Sequence, residues 1–169
     1  TPAAAAVAQQ ATRQQVDRLA AAAPRALVQG DQRRVHAQAV EALEQLGAEA
    51  ALVVSGEEGL DELSGAGPSI TVSVGRVTAP RTITPEDAGL PRHPITAIRG
   101  GDARHNAEAL RRLLAGEPGA YRDAVLLNAA AALLVAGHSA DLAQGAVAAA
   151  RAIDSGAAAA LLDQWIAYR

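Results

Sequence analysis

The 169-residue sequence has no cysteine, methionine, phenylalanine or lysine, and aromatic residues make up only 2% of it. Without cysteine there is no disulfide and no thiolate nucleophile, so a bound metal ion would need histidine or carboxylate ligands. Because aromatic side chains are scarce, the core must be built from alanine, leucine, valine and isoleucine, and alanine-rich helices must pack closely. The net charge of −3 argues against a nucleic acid or an anionic membrane as the main partner.

Long hydrophobic runs are also missing. No apolar stretch approaches the roughly 20 residues that span a bilayer. The first ten residues, TPAAAAVAQQ, lack the basic flank and long apolar segment of a signal peptide. We therefore expect a soluble, cytoplasmic protein without a membrane partner. Because the chain opens on Thr1 and has no methionine, a fragment, a split subunit and a natural truncation all stay open.

What is present predicts an α/β fold: a small, mainly parallel sheet with helices packed around it and a helical C-terminal half. Residues 1–24 are predicted to form an N-terminal helix, and residues 25–169 an α/β domain. A strand at 25–31, a helix at 31–46 and a strand at 50–54 would form a parallel pair with a right-handed crossover. Further strands are predicted at 69–74 and 77–83, a capped helical turn at 84–90, and helices at 102–115, 123–136, 139–153 and 157–168.

The stretch VVSGEEGLDELS, residues 53–64, places four carboxylates beside glycines directly after a predicted strand. Ligands of open α/β sheets usually lie outside the carboxyl ends of the strands. Asp61 and Glu62 are adjacent there, and two carboxylates suit Mg²⁺, which keeps several waters and is often shared with substrate phosphates. The alternative is a solvated acidic turn, and the pattern alone favours that plainer interpretation.

Other candidates have simpler interpretations. RGGDARHN, residues 99–106, could be a phosphate-binding glycine turn before a helix, but Asp102 as the N-cap of that helix is the favoured interpretation. Asn128, in an otherwise apolar helix, is expected to bond to a neighbouring backbone. Trp165 and Tyr168 are expected to pack.

Histidines 36, 93, 105 and 138 have no metal-ligand spacing. The sequence also contains no Walker loop, no GxGxxG motif and no nucleophile elbow. The residues alone therefore assign no catalytic side chain and leave one plausible cation-binding loop.

Four segments, in register and at natural spacing, resemble the C-terminal part of the anthranilate phosphoribosyltransferases over roughly residues 31–169. They are VVSGEEGLDELS, ITPEDAGLPRHPITAIRGGDARHNAEALRRLLAG, RDAVLLNAAAALLVAG and AARAIDSGAAAALLDQWIAY. The family transfers phosphoribosyl from phosphoribosyl pyrophosphate (PRPP) to anthranilate in tryptophan biosynthesis, and belongs to the superfamily of glycosyltransferase family 3 and the nucleoside phosphorylases. The resemblance implies that Asp61 and Glu62 help to bind the magnesium that rides on the diphosphate of PRPP.

The family's GTGGD, Asn-x-Ser-Thr, KHGNR and FNxLGPLxNP segments do not occur in this sequence. TPAAAAVAQQATR weakly resembles the family's HPAxxxVAPxR helix, with Ala11 at the position of the arginine that contacts anthranilate and Arg13 nearby. We therefore expect a truncated or split form that is inactive alone. It would use PRPP and anthranilate only when completed by an N-terminal half, in a partner chain or a homo-oligomer. The alternative is a non-catalytic binding or structural subunit that retains the scaffold.

Overall fold

The computed structural model of the chain describes residues 32–168. In this part of the chain, one helix is followed by three strands, and only helices follow the strands. In chain order the elements are α1 (Gln32–Gln45), β1 (Ala50–Gly56), β2 (Ser69–Gly75), β3 (Thr82–Ile83), the 3₁₀ turns Pro85–Ala88 and Ile95–Ile98, α2 (Ala103–Leu114), α3 (Ala120–Val135), α4 (Leu142–Asp154) and α5 (Ala157–Ala167). The predicted α/β class and the helical C-terminal half are confirmed.

The strands follow the order β1-β2-β3 in the sheet. At one end of the first pair, the Glu57 N–H donates to the Pro68 carbonyl oxygen at 3.2 Å. At the other end, the Arg76 N–H donates to the Glu49 carbonyl oxygen at 2.8 Å. Residues that follow β1 therefore lie beside residues that precede β2, which makes β1 and β2 antiparallel.

The last pair is antiparallel as well, with Ser69 opposite Ile83 and Ile70 opposite Thr82. The strands that the structure describes thus differ from the mainly parallel sheet expected from the sequence. A parallel pair needs a long crossover, and neither the β1–β2 nor the β2–β3 connection contains a helix. The strand predicted at residues 25–31, which was to pair in parallel, and the helix predicted within residues 1–24 lie outside the described residues.

The described residues divide into two compact units. One contains residues 32–53 and Val72–Thr78, and the other contains Val54–Thr71 and residues 79–168. Every helix after α1 belongs to the second unit, as does the segment that joins β1 to β2. The boundary predicted at residue 24 falls outside the described residues and stays a prediction.

Small side chains let α3 and α4 approach closely. Gly145 of α4 faces Ala130 of α3, and a Cβ at Gly145 would lie 2.9 Å from the Cα and carbonyl oxygen of Ala130. Ala130 is fully buried, and Leu127 beside it is 1% exposed. The close helix packing expected of an alanine-rich core is therefore observed at this contact.

Polar caps set where several helices begin. The Asp141 side chain accepts a hydrogen bond from the Gln144 N–H at 2.7 Å, so α4 begins at Leu142 rather than at the predicted Ser139. In the turn Pro85–Ala88, the Thr84 N–H donates to the Asp87 carboxylate at 2.7 Å, as expected for a capped turn.

Helix α5 ends the described chain with exposed aromatic side chains. Trp165 is 76% exposed and Tyr168 is 89% exposed, so the packing expected of this pair is not found among the described residues. Over residues 32–168 no single helix is long and apolar enough to cross a membrane. Only α4 and α5 taken together reach that length and composition, and they are bent by 62° at the break between them.

Candidate functional site

The segment between β1 and β2, residues 57–68, carries the four carboxylates noted in the sequence and is called the acidic loop below. It opens with a tight turn, in which the Gly56 N–H donates to the Leu60 carbonyl oxygen at 2.9 Å and the Gly59 N–H to the Gly56 carbonyl oxygen at 3.0 Å. Gly59 has a φ of +87°, which a residue with a side chain rarely adopts. Glycine here therefore meets a backbone requirement of the turn.

The middle of the acidic loop is anchored in the protein. Leu63 is 1% exposed and Ser64 is fully buried. The Ser64 N–H donates to the Ser69 hydroxyl at 2.8 Å, and the Ala66 N–H donates to the Ser64 hydroxyl at 3.0 Å. This part of the loop is a fixed structure rather than a freely solvated turn.

The side chain of Asn128, in α3, binds the backbone of Leu63. Its Oδ1 accepts a hydrogen bond from the Leu63 N–H at 3.0 Å, and its Nδ2 donates to the Leu63 carbonyl oxygen at 3.0 Å. Nδ2 also donates to the carbonyl oxygen of Ala124, one turn earlier in α3, at 3.0 Å. The expectation that Asn128 bonds to backbone is therefore confirmed, and one of its partners is the residue directly after Glu62.

Asp61 and Glu62 are both exposed, between the turn and the anchored Leu63. Glu58 is arranged differently, because its carboxylate lies against the glycines of the loop. One of its oxygens is 3.0 Å from where a Cβ on Gly67 would lie, and the other is 3.4 Å from the corresponding position on Gly56. All three side chains are exposed, but Glu58 differs from Asp61 and Glu62 in that its carboxylate lies against the loop glycines.

The donor set at Asp61 and Glu62 fits a magnesium ion that keeps part of its hydration shell. Adjacent carboxylates are the hard oxygen ligands that Mg²⁺ prefers, and Mg²⁺ is commonly held by one or two of them with the remaining positions left to water and phosphate. Among residues 32–168, no three histidine or acidic side chains are grouped so that they could hold a metal ion. A pair of carboxylates is the kind of donor set with which proteins share Mg²⁺ with a substrate phosphate.

A pair of opposite charges lies on the segment after β3. Arg92 Nε donates to the Glu86 carboxylate at 2.6 Å, with both side chains about half exposed. This hydrogen bond from Arg92 is the main cause that lowers the pKa of Glu86 below its usual value. The same bond raises the pKa of Arg92. The negative charge of Glu58 makes a weaker contribution to that rise.

His93 connects the acidic loop to the start of α3. Its N–H donates to the Gly65 carbonyl oxygen at 2.9 Å, and its Nε2 lies 2.6 Å from the Asp123 carboxylate. The two side chains are 26% and 19% exposed. Nothing in the local sequence indicated this pair, because its members are separated by 30 positions.

The glycine turn at residues 99–106 is a helix cap. Asp102 accepts a hydrogen bond from the His105 N–H at 2.8 Å and begins α2. The Gly101 N–H is also occupied, because it donates to the Asn106 side chain at 2.8 Å. The favoured capping interpretation is therefore confirmed, and these two N–H groups are not available to a phosphate.

A cavity of about 500 Å³ adjoins this cap, and none of its lining residues belongs to the acidic loop. Three arginines line it, Arg99, Arg112 and Arg122. Arg112 lies 3.4 Å from Glu117, and Arg122 lies 2.8 Å from Asp154. Two of the three positive charges are thus paired with carboxylates, which weakens the case for an anion site.

A family model described as "Glycosyl transferase family, a/b domain" matches residues 10–159. The anthranilate phosphoribosyltransferase of Novosphingobium aromaticivorans is 57% identical over 129 residues, which are 75% of this chain and 39% of that protein. The anthranilate phosphoribosyltransferase of Sphingopyxis alaskensis is 56% identical over 131 residues, covering 76% of this chain and 39% of its own length. The chain therefore spans about two fifths of the length of these curated relatives.

Solved structures give the same likeness. The crystal structure of anthranilate phosphoribosyltransferase from Thermus thermophilus superimposes with a TM-score of 0.70 and 43% identity, covering 78% of this chain and 39% of that one. The Saccharomyces cerevisiae anthranilate phosphoribosyltransferase in complex with PRPP and Mg superimposes with a TM-score of 0.64 over 72% of this chain and 36% of that one. At 24% identity, this second likeness shows the fold alone.

Proposed function

Because this chain belongs to the glycosyl transferase family defined by its a/b domain, we propose that it is the C-terminal part of an anthranilate phosphoribosyltransferase. Its role in the complete enzyme is to supply the acidic half of the substrate site. There, Asp61 and Glu62 bind magnesium carried by the diphosphate of PRPP. The acceptor is anthranilate, and a partner chain or an N-terminal half supplies the remaining contacts to both substrates.

The observation that carries the proposal is the coincidence of sequence identity with loop geometry. The anthranilate phosphoribosyltransferases of N. aromaticivorans and S. alaskensis are 57% and 56% identical to this chain over the matched segments. In the same chain, the acidic loop holds Asp61 and Glu62 exposed and adjacent, beside a buried anchor at Leu63. An incidental acidic turn would not require that anchor, whereas a metal-binding loop benefits from it because ligands must be held in place.

The chemistry assigns a restricted role to these two residues. As pyrophosphate leaves, negative charge grows on its oxygens, and magnesium, when bound, neutralises part of that charge. Asp61 and Glu62 attract the cation and repel the phosphates, so they orient the leaving group only through the metal. The amine of anthranilate is itself a nucleophile, so most of the rate would come from positioning the two substrates.

A chimera tests whether the chain is catalytically competent. The segment of the N. aromaticivorans enzyme that matches this chain would be replaced by the corresponding residues of this chain, and phosphoribosyl-anthranilate formation followed by the loss of anthranilate fluorescence. We expect measurable turnover that depends on PRPP, because more than half of the exchanged positions are identical. The unmodified N. aromaticivorans enzyme serves as the positive control.

A folded chimera without turnover, at PRPP and anthranilate concentrations that saturate the parent enzyme, would contradict the proposal. That result would support the alternative of a binding or structural subunit that has kept the scaffold. A circular dichroism spectrum and a thermal unfolding transition like those of the parent establish that the chimera is folded.

A further inference from the structure

We infer that Asn128 is a positioning residue of the magnesium site, which fixes the acidic loop by clamping the backbone of Leu63. The inference rests on the proposed role of Asp61 and Glu62 and extends it to a residue on another element. Asn128 lies 65 positions from Leu63 in the sequence, yet both backbone polar groups of Leu63 are bonded to it.

The geometry of the clamp leaves one arrangement of the side-chain amide. Oδ1 meets an N–H group, and Nδ2 meets two carbonyl oxygens, those of Leu63 and Ala124. Turning the amide over would bring Nδ2 against the Leu63 N–H and Oδ1 against both carbonyls. All three hydrogen bonds would then be lost, so the side chain has a single satisfied orientation.

Two features hold Asn128 itself in place. The bond to Ala124, within the same helix, fixes the side chain along the surface of α3. Helix α3 is in turn seated on α4 through the close approach of Gly145 to Ala130. Asn128 is therefore a rigid support, and it fixes the position of whatever it binds.

The clamped residue directly follows the proposed ligands. Asp61 and Glu62 have exposed side chains, so their geometry depends on the backbone that carries them. The backbone is held by the turn closed between Gly56 and Leu60 on one side, and by Leu63 on the other. Removing the Asn128 amide would release the second support and leave the carboxylates less well placed for a shared cation.

The chain offers a matched control for this clamp. Asn106 binds the backbone of Gly101 in the same manner, accepting from its N–H at 2.8 Å and donating to its carbonyl oxygen at 3.1 Å. Gly101 lies in the cap of α2, outside the acidic loop. Loss of this second clamp should therefore leave the magnesium site unchanged.

The test measures metal binding and does not depend on turnover. Mn²⁺ replaces Mg²⁺ as the probe, and the free ion is followed by its electron paramagnetic resonance signal during titration of the chimera at saturating PRPP, with PRPP alone as the blank. Outer-sphere partners of metal ligands typically contribute one to two orders of magnitude in affinity. We therefore expect Asn128→Ala to weaken Mn²⁺ binding about tenfold, Asn106→Ala to leave it unchanged, and Asp61→Ala to abolish it.

The outcomes separate this inference from the proposed function. If the chimera binds no more Mn²⁺ than the PRPP blank, or if its Asp61→Ala variant binds Mn²⁺ like the unsubstituted chimera, the metal role fails and the inference falls with it. If Asp61→Ala loses binding while Asn128→Ala retains it, the inference alone is overturned. Equal weakening by Asn106→Ala and Asn128→Ala would also overturn it, since the effect would then not belong to this loop.

A second measurement covers the case in which Asn128→Ala unfolds. Amide hydrogen exchange of wild-type chain should show the Leu63 N–H protected relative to those of Asp61 and Glu62, which donate no hydrogen bond within the described part of the chain. In a folded Asn128→Ala chain the Leu63 amide should exchange faster. In the wild-type chain, a Leu63 amide that exchanges as fast as the amides of Asp61 and Glu62 would overturn the inference without any metal experiment.

Discussion

At the scale of single residues, the carboxylates of the acidic loop have different surroundings despite their similar appearance in the sequence. The Glu58 carboxylate lies against Gly56 and Gly67, and its negative charge contributes weakly to the raised pKa of Arg92. Asp61 and Glu62 are exposed and carry no described ion pair. Two adjacent, exposed carboxylates can approach one cation together, which supports the proposal that Asp61 and Glu62 are the metal ligands.

The pair of Glu86 and Arg92 gives a pH prediction. Its hydrogen bond lowers the pKa of Glu86, so the bond contributes stability above the unfolded-state pKa of that carboxyl, and the contribution is lost as pH falls through the lowered folded-state pKa. In Arg92→Gln the pKa of Glu86 should rise toward its usual value. An NMR titration of the Glu86 side-chain carboxyl carbon measures this directly.

Arg104→Gln serves as the control, since Arg104 pairs with Glu108 rather than with Glu86. This variant should leave the pKa of Glu86 at its wild-type value. A Glu86 pKa that does not move in Arg92→Gln would show that another interaction, and not this hydrogen bond, holds it down. Because both partners are half exposed, added salt should shrink the shift.

At the scale of elements, α3 supports the candidate site at two points. Asn128 clamps Leu63, and Asp123 contacts His93, whose N–H is bonded to Gly65. Both contacts reach segments that are distant in the sequence. The position of α3 against α4 therefore matters for the loop as well as for the core.

The contact of α3 with α4 predicts the effect of a single added methyl group. In Gly145→Ala the new Cβ would lie 2.9 Å from backbone atoms of Ala130, which cannot move aside as a flexible side chain could. Replacing a mid-helix glycine by alanine ordinarily stabilises by about 1 kcal/mol. We expect instead a net loss of about 1–2 kcal/mol, because overpacking outweighs that gain.

Urea unfolding followed by circular dichroism measures the change as a shift in midpoint at constant slope. Ala148→Gly, at an exposed position of the same helix, is the control for intrinsic propensity and should cost about 1 kcal/mol. A Gly145→Ala chain more stable than wild type would mean that the two helices can separate without cost, contrary to the close packing described here.

Local sequence patterns were sufficient to predict most of the helices and strands and to single out the acidic loop as the candidate site. Helical periodicity located α1 to α5 to within a few residues of their ends, and Asp102 was identified as a cap. The expectation of a mainly parallel sheet was wrong for the described strands, which are antiparallel and connected without helices. The parallel pair inferred from a β-α-β order includes residues 25–31, which lie outside the described residues, so it stays a prediction. The partner of Asn128 could not be predicted either, since no local pattern connects positions 63 and 128.

At the scale of the whole molecule, the chain corresponds to about two fifths of the relatives that it matches. Within that part it has an anchored acidic loop and a helical support for it. In the proposed function, Asp61 and Glu62 hold only the cation, and residues outside the acidic loop hold the phosphates. The GTGGD and KHGNR motifs are not in this sequence.

In the proposed function, Asp61 and Glu62 bind magnesium while the other carboxylates of the acidic loop do not. The magnesium concentration for half-maximal phosphoribosyl-anthranilate formation by the chimera tests it most directly. Asp61→Asn and Glu62→Gln should each raise that concentration about tenfold or more, because each removes a charged ligand and the loss of even an outer-shell partner typically costs about 10- to 100-fold. Glu57→Gln, in the same loop, should leave it unchanged. An equal shift in all three variants, or none in Asp61→Asn and Glu62→Gln, would contradict the account.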